Sequence, residues 1–292
     1  SVQRDFVEWR GERTHYAVWA IDGDTPAVRA ASAALCVRLA ACLLPAMAQE
    51  QAAAPGDAAK QEMQQIVDVQ GTRDPDLRPY RTMLKGLDAY ADHQRLAPGA
   101  PLRFMLVPAT PQARLDGVTL HLSADNLSIP VPLAADGGFT LTRDKTAYDA
   151  NADLVSNKKR DTLRWRADIH TPGLPANVRR LGDLRLECEI RWAVEQDDLP
   201  FVRRNLFRLA GGPCHSSLIH VLYPVPRNLA AVQARSGERA LEIRVTQDRQ
   251  RYVPPLYDAS WDDNTLLTLT YADDDHLAEA APAAPLKAAQ HQ

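Results

Sequence analysis

The chain has 292 residues, with 34 basic and 37 acidic side chains and a formal net charge of −3. A hydrophobic content of 45% excludes a chain that is disordered throughout and is enough for a substantial core. The near balance of charge gives no overall attraction to nucleic acid or to an anionic membrane, so such a partner would need a local patch. The 21 prolines against 14 glycines favour a loop-rich β architecture, because proline is confined to turns and edge strands of sheets.

Residues 29–48 have the pattern of a secretory signal peptide. Arg29 precedes a short apolar stretch, and Ala46 and Ala48 supply the small residues that signal peptidase requires, so we expect cleavage after Ala48. The stretch is too short to remain as a helix that spans a bilayer. Such a leader directs the chain out of the cytoplasm into an oxidising compartment, so we expect a periplasmic or extracellular protein.

Two other interpretations of this stretch stay open. Arg38 interrupts the apolar run, as it would in an ordinary amphipathic helix of a folded domain. Alternatively, the run that ends at Cys42 is a lipobox whose cysteine becomes acylated. Residues 1–28 precede the leader and are of doubtful gene-model status, and Val28 is a candidate non-methionine start.

The prefix has a resemblance of its own. Residues 4–25, with the runs RDFVEWRG and YAVWAID, resemble the opening strand of bacterial 2′-5′ RNA ligase-like proteins, a branch of the two-histidine phosphoesterases. Proteins of this kind continue into a helix and then a strand that carries a histidine, an apolar residue and a threonine. No such strand follows in this sequence. The resemblance therefore suggests a truncated or joined reading frame more than an enzyme.

The remainder is predicted to be a flexible tether at 49–62, a β-sandwich-like domain at 63–272 and a disordered tail at 273–292. The fold class is mainly β, an antiparallel β-sandwich with one or two packed helices. Short, partly alternating apolar runs predict strands at 66–69, 102–107, 118–122, 128–131, 139–142, 163–169, 184–190, 218–222, 230–234, 241–245 and 266–271.

Local patterns also predict two helices and a hairpin. The apolar spacing behind Pro79 indicates a helix over 79–93. A second helix is expected between Asp198 and Gly211, packed on the sheet through Phe201, Val202, Leu206 and Leu209. The run from Asp136 to Phe139 supplies the positive-φ residues of a tight hairpin turn.

Two cysteines remain after the leader, Cys188 and Cys214. In an oxidising compartment they are expected to form a disulfide, worth about 3 kcal/mol in the chain-entropy model. Two free buried thiols are the alternative. No CxxC-type pair or HExxH pattern is present, so no metal site is predicted.

An enzymatic alternative rests on two histidine and serine pairs. His121 and Ser123, and likewise His215 and Ser217, are two residues apart, so in a strand both members of a pair face one way. On neighbouring strands the two pairs could grip a phosphate, with the histidines as general acid and base. This would be a two-histidine phosphoesterase acting on RNA or cyclic phosphates.

Three further groups of residues are candidate binding surfaces. The basic stretch from Lys158 to Arg191 could meet a protein, glycan or envelope partner, although charged outer faces of strands look the same. The tryptophans could stack on sugar rings, although tryptophan more often anchors the core of a sandwich. The acidic clusters could bind calcium, although such clusters are more often solvated turns. These residues are Trp165, Trp192, Trp261, Asp258, Asp262, Asp263, Asp273, Asp274 and Asp275.

The segment 172–188 resembles the core segment of uncharacterised secreted proteins of proteobacteria, a resemblance that implies no activity. The sequence as a whole favours an exported, non-enzymatic binding or structural module without a cofactor and with no expected nucleic-acid partner.

Overall fold

Strands outnumber helices in the computed structural model, which describes residues 19–21, 74–110 and 112–273. Each strand pair within these ranges is antiparallel. The predicted mainly β class is therefore confirmed. The strands are β1 (Trp19–Ile21), β2 (Pro75–Pro79), β3 (Leu102–Pro108), β4 (Leu120–Ala124), β5 (Leu127–Pro130), β6 (Gly138–Phe139), β7 (Asp153–Lys159), β8 (Leu163–Ile169), β9 (Val178–Arg180), β10 (Ile219–Val221), β11 (Tyr223–Pro224), β12 (Leu229–Ser236), β13 (Arg239–Glu242), β14 (Arg251–Tyr252) and β15 (Leu266–Tyr271).

Four α-helices lie among these strands in the described residues. They are α1 (Tyr80–His93), α2 (Lys145–Asp149), α3 (Leu181–Glu195) and α4 (Phe201–Leu209). None of the described helices combines the length and the apolar character that crossing a membrane requires. The predicted leader, tether and strand at 66–69 lie outside the described residues, as does the predicted tail after Asp273.

Two sheets and three helices, α1, α2 and α3, contribute to the first hydrophobic core. One sheet has the strand order β2-β7-β4-β5 and the other has the order β6-β3-β8. Strand β8 contributes Leu163, Trp165 and Ala167 to this core, as its period-two alternation requires. Helix α1 adds Tyr80 and Met83, both fully buried.

The second core lies under the sheet β13-β12-β15-β9 and is joined by two ribbons, β1-β10 and β11-β14. Leu267 and Leu269 of β15 face inward beside Val232 and Ala234 of β12. The ribbon β1-β10 pairs the backbone of Ala20 with that of His220.

Helix α3 belongs to both cores, and it corrects a prediction. The segment 184–190 was expected to be a strand with Leu184, Leu186 and Cys188 on one face, but it is the middle of a helix. Leu184 and Cys188 contact the second core, whereas Leu186 contacts the first. The apparent alternation arises because two apolar stripes run along one helix, which mimics the period of a strand.

The predicted helix behind Pro79 is confirmed as α1, which packs against α3. Gly86 lies at the crossing: an added Cβ would meet Val194 Cγ2 at 3.0 Å and Ile190 Cγ2 at 3.2 Å. A glycine at this position therefore lets the two helices approach closely. The strands predicted at 163–169 and 266–271 are also confirmed with the same bounds.

The predicted turn at Asp136 is present, with Gly137 at a φ of 85°. The Ala134 N–H donates to the Gly138 carbonyl, and the Gly137 N–H donates back to the Ala134 carbonyl, a tight glycine-bearing turn. The strand that follows pairs with β3 rather than with β5, so the expected hairpin between neighbouring strands does not form.

Helix α4 confirms the second predicted helix but not its packing. The expected apolar contact face, Phe201, Val202, Leu206 and Leu209, is exposed, and Phe207 is the buried residue instead. The packing prediction was wrong because the sequence shows an apolar stripe without showing whether the fold covers it.

Candidate functional site

A cleft of about 100 Å³ lies between β8, α3 and the residues around β11. We call it the arginine cleft, because arginines are its most frequent side chains. Its lining residues are Val107, Arg164, Trp165, Arg166, Ala167, Arg179, Glu187, Arg191, Glu195, Leu222, Tyr223 and Pro224. The space is several times what one water needs and suits a small ligand group.

Two periodicities place charged side chains in this cleft. On β8, Arg164 and Arg166 alternate with the inward-facing core residues and so lie on the opposite face of the sheet. On α3, Glu187, Arg191 and Glu195 follow one another at intervals of four residues and form a charged stripe between the two apolar stripes. The cleft is therefore walled by cations from the strand and by mixed charges from the helix.

Buried ion pairs fix the helix side of the cleft. Glu187 Oε1 accepts hydrogen bonds from Arg179 Nη2 at 2.7 Å and from the Ile169 N–H at 2.8 Å. Arg191 Nε donates to Glu195 Oε2 at 2.8 Å. Because a buried charge is costly unless it is paired, these contacts hold the side chains in fixed positions.

Burial also sets the protonation behaviour of these groups. Removal from water raises the pKa of Glu187 and of Glu195, against the opposing effects of Arg179 and Arg191 respectively. Burial disfavours the Arg179 cation, but the Glu187 carboxylate outweighs this and raises the pKa of Arg179. Burial likewise raises the pKa of Tyr223. For Glu187 and Glu195, therefore, burial and the paired arginine act in opposite directions on the pKa, and burial is the larger effect.

Three buried N–H donors on the cleft residues have no hydrogen-bond acceptor within the described ranges: Trp165 Nε1, Arg166 Nε and Arg179 Nε. A buried donor without an acceptor costs about 1–3 kcal/mol, so a ligand or water that supplies acceptors to these donors would be bound favourably. The lining holds four arginines against two glutamates, a formal excess of two positive charges. The arrangement can therefore bind an anion that accepts hydrogen bonds.

Next to the cleft, Asp168, His170 and Glu187 each have a ligand-type atom within 4.8 Å of the others. His170 Nδ1 is 3.1 Å from Asp168 Oδ1, and this contact holds the pKa of Asp168 below its usual value although burial opposes it. The Arg179 guanidinium on Glu187 disfavours a divalent cation at the same carboxylate. We therefore assign these side chains to the ion-pair network rather than to a metal centre.

A second cleft, of about 140 Å³, shares Trp165 with the arginine cleft and includes Asp76, Arg78, Ser156 and Asp161. Burial raises the pKa of Asp76 to about 6, Asp161 adds to the shift and Arg78 opposes it. A carboxyl that titrates near neutral pH in a cleft is a feature of functional sites, although structural networks produce it as well.

The two predicted histidine and serine pairs are not on neighbouring strands. His121 and Ser123 lie on one face of β4, between β5 and β7, as the spacing predicts. His215 and Ser217 lie in the loop between α4 and β10, outside any strand. His215 Nε2 contacts Glu189 Oε1 of α3 at 2.6 Å.

The predicted pair Cys188–Cys214 forms a disulfide. It joins the middle of α3 to the loop after α4, and both cysteines are almost fully buried. The cross-link therefore ties α4 to the second core. The predicted cleavage residues Ala46 and Ala48, and Cys42 with them, lie outside the described residues.

The tryptophans predicted as alternative sugar-stacking residues are mostly internal. Trp165 and Trp261 are buried in the two cores, and Trp192 is partly buried, with its ring 6.0 Å from that of Phe207. Burial of this kind fits the anchoring role that tryptophan usually has in a core.

The other two predicted surfaces are largely occupied by internal contacts. In the basic stretch from Lys158 to Arg191, Arg179 pairs with Glu187, and Arg185 pairs with Asp263 at 2.6 Å. Asp258 accepts hydrogen bonds from the Ser260 N–H and hydroxyl, and Asp262 accepts one from the Asn264 N–H. Asp274 and Asp275 lie outside the described residues.

Sequence reasoning missed the residues of the arginine cleft. Arg164 and Arg166 do alternate with apolar residues in a predicted strand, which is the signal that could have placed them on one face. The charged stripe of α3 could not be recognised, because that segment was assigned to a strand.

Comparison of the chain with protein-family models, with curated proteins and with solved structures gives no match. The function is therefore argued from the residues of the chain alone.

Proposed function

We propose that this protein is an exported binding protein that holds a small anionic ligand, carrying a phosphate or carboxylate group, in the arginine cleft. The observation that carries the proposal is the pair of buried guanidinium donors, Arg166 Nε and Arg179 Nε, on residues that line one positively charged cleft, which Trp165 also lines. Both donors would gain an acceptor from an oxyanion, and hydrogen bonds to a charged acceptor are worth about 1.5–3 kcal/mol.

Export is supported by two features. Residues 29–48 have the pattern of a leader that ends at Ala48, and the disulfide Cys188–Cys214 is compatible with an oxidising compartment. We propose a periplasmic or extracellular location on this basis, with a mature chain from which β1 is removed together with the leader, so that β10 loses the partner strand it has here. The two sheets around the first core, β2-β7-β4-β5 and β6-β3-β8, likewise support an antiparallel sandwich as the more specific fold.

Binding is favoured over catalysis by the chemistry of the lining. The described residues around the arginine cleft include no serine or cysteine nucleophile and no histidine, and its two glutamates are paired with Arg179 and Arg191. Fixed cations and N–H donors instead suit recognition of a charge. The phosphoesterase alternative stays a prediction: His121 lies on β4 and His215 lies in the loop between α4 and β10, so the two histidines are not on paired strands.

The indole N–H of Trp165 offers a direct readout. Inorganic phosphate is titrated into the ¹⁵N-labelled protein at constant ionic strength, and the indole resonance is assigned by its loss in Trp165→Phe. We expect the Trp165 resonance to shift with saturation. Arg166→Gln should weaken phosphate binding tenfold or more, because it removes a charged donor from the cleft.

A matched control is Arg143→Gln, which removes an exposed arginine paired with Asp88. It should leave phosphate binding unchanged. A Trp165 resonance that does not respond to phosphate, sulfate or small carboxylates, or that responds equally in both arginine variants, would contradict the proposal.

A further inference from the structure

Helix α4 presents an apolar face that the rest of the described chain does not cover. The exposed fractions are 69% for Phe201, 67% for Val202, 42% for Leu206 and 87% for Leu209. Ten large hydrophobic side chains are exposed in the described residues, and four of these belong to this nine-residue helix. Single exposed apolar residues are ordinary, but a contiguous group marks an interaction surface.

The helix is firmly attached by its opposite side. Phe207 is 1% exposed and packs on Trp192, and the disulfide at Cys214 follows five residues after the helix ends. At 100° per residue, Val202, Leu206 and Leu209 centre more than 120° away from Phe207. The apolar face is therefore held outward by the fold.

Three arginines and Asn205 occupy the remaining positions, and the helix contains no acidic residue. Asn205 lies between Phe201 and Leu209 on the helical wheel and is a polar position within the apolar face. Arg203 and Arg204 lie on either side of Phe207 on the helical wheel, and Arg208 lies next to Phe201. Arg204 contacts Asp197, and Arg208 donates to Gln196. Basic side chains thus lie between the apolar face and the body of the protein.

The positions of these arginines around the apolar face favour one kind of partner over another. In a second copy of the chain, a symmetric contact between two α4 helices would bring arginines against arginines. In an anionic bilayer, the apolar side chains enter the acyl boundary while the flanking arginines meet lipid phosphates. The charge pattern favours the bilayer.

We propose that α4 is a docking surface for an anionic phospholipid membrane, with Phe201, Val202, Leu206 and Leu209 inserted at the interface. None of these residues lines the arginine cleft, so this inference is independent of the proposed ligand. The helix is only about 14 Å long, so the binding is weak and reversible rather than a permanent anchor.

Vesicle sedimentation tests this with the purified full chain. Vesicles of phosphatidylcholine with phosphatidylglycerol are compared with vesicles of phosphatidylcholine alone. We expect binding to the anionic vesicles, at least tenfold weaker in Val202→Ser/Leu209→Ser and reduced in Arg208→Gln. Leu241→Ser removes an exposed leucine of β13 and should bind like the parent.

Two results would overturn the proposal. One is equal sedimentation of the parent and of Val202→Ser/Leu209→Ser with anionic vesicles, when circular dichroism shows that both are folded. The other is a parent that sediments with neither vesicle but forms a dimer or captures a protein through this face, since the occupant would then be a protein.

Discussion

Charged side chains lie between α3 and the face of β8 that carries Arg164 and Arg166, beside the apolar contacts of the first core. Glu187 and Glu195 are buried, and each is held by an arginine that the fold brings to it. A sequence alone gives no sign of this, because glutamate and arginine are normally read as exposed. The residues of the arginine cleft are therefore the part of the molecule that the sequence predicts least well.

The Asp76 carboxyl makes the stability of the protein depend on pH. Its pKa is about 6 in the folded chain, raised from the ordinary value of 3.8 mainly by burial. Well below the ordinary pKa of 3.8 the group is protonated in both states and has no effect on stability. As the pH rises to about 6, the unfolded chain loses this proton more readily than the folded chain, so stability falls.

Asp76→Asn should remove this dependence. We expect the free energy of unfolding to increase at about pH 7 by on the order of 1 kcal/mol, a value reduced by partial solvent screening, and to change little at about pH 4. Urea unfolding at both pH values measures the difference.

The exposed Asp125, in the turn between β4 and β5, provides the control. Asp125→Asn should have the same small effect at both pH values. A gain in stability for Asp76→Asn that is equal at the two pH values would contradict a raised pKa of Asp76 in the folded chain.

Among the helices and strands, the sequence predicted well those that face one core and poorly the helix that contacts two cores. Strand β8 faces one core with one side and was placed correctly, as was α1 behind its proline. Helix α3 contacts two cores, so its apolar residues do not follow a single stripe. The period that identifies an ordinary amphipathic helix is hidden when two faces are buried.

The start of α3 is constrained by close packing at Gly182. An added Cβ would lie 2.1 Å from the Leu96 carbonyl oxygen, which belongs to the backbone and cannot move aside easily. Alanine normally stabilises a helix relative to glycine, but this collision reverses the sign. We expect Gly182→Ala to lower the free energy of unfolding by on the order of 2 kcal/mol, as measured in urea.

Gly86→Ala is the comparison within the helix pair. There the added carbon meets the side-chain carbons of Val194 and Ile190 at 3.0 and 3.2 Å, which can shift by a few tenths of an ångström. Its cost should be smaller than that of Gly182→Ala. A Gly182→Ala variant as stable as the parent would mean that α3 does not approach Leu96 in this way.

At the scale of the whole molecule, α3 and the disulfide connect the two cores. Leu186 and Ile190 pack in the first core, while Leu184 and Cys188 pack in the second, and Cys188 is bonded to the loop that follows α4. The cysteine pair was predicted from compartment and number alone, since two cysteines remained after the leader. Its position, which fixes α4 and thereby the exposed apolar face, could not be deduced because the surrounding elements were assigned differently.

Intact mass spectrometry of the non-reduced protein, purified from cells that express the full gene, tests the central claim of an exported binding protein most directly. We expect a chain that begins at Gln49, and so does not contain β1, that lacks the two thiol hydrogens of Cys188 and Cys214, and that under native conditions carries an anionic small molecule that Arg166→Gln loses. A chain that retains residues 29–48 with both thiols reduced, and no bound anion, would contradict it.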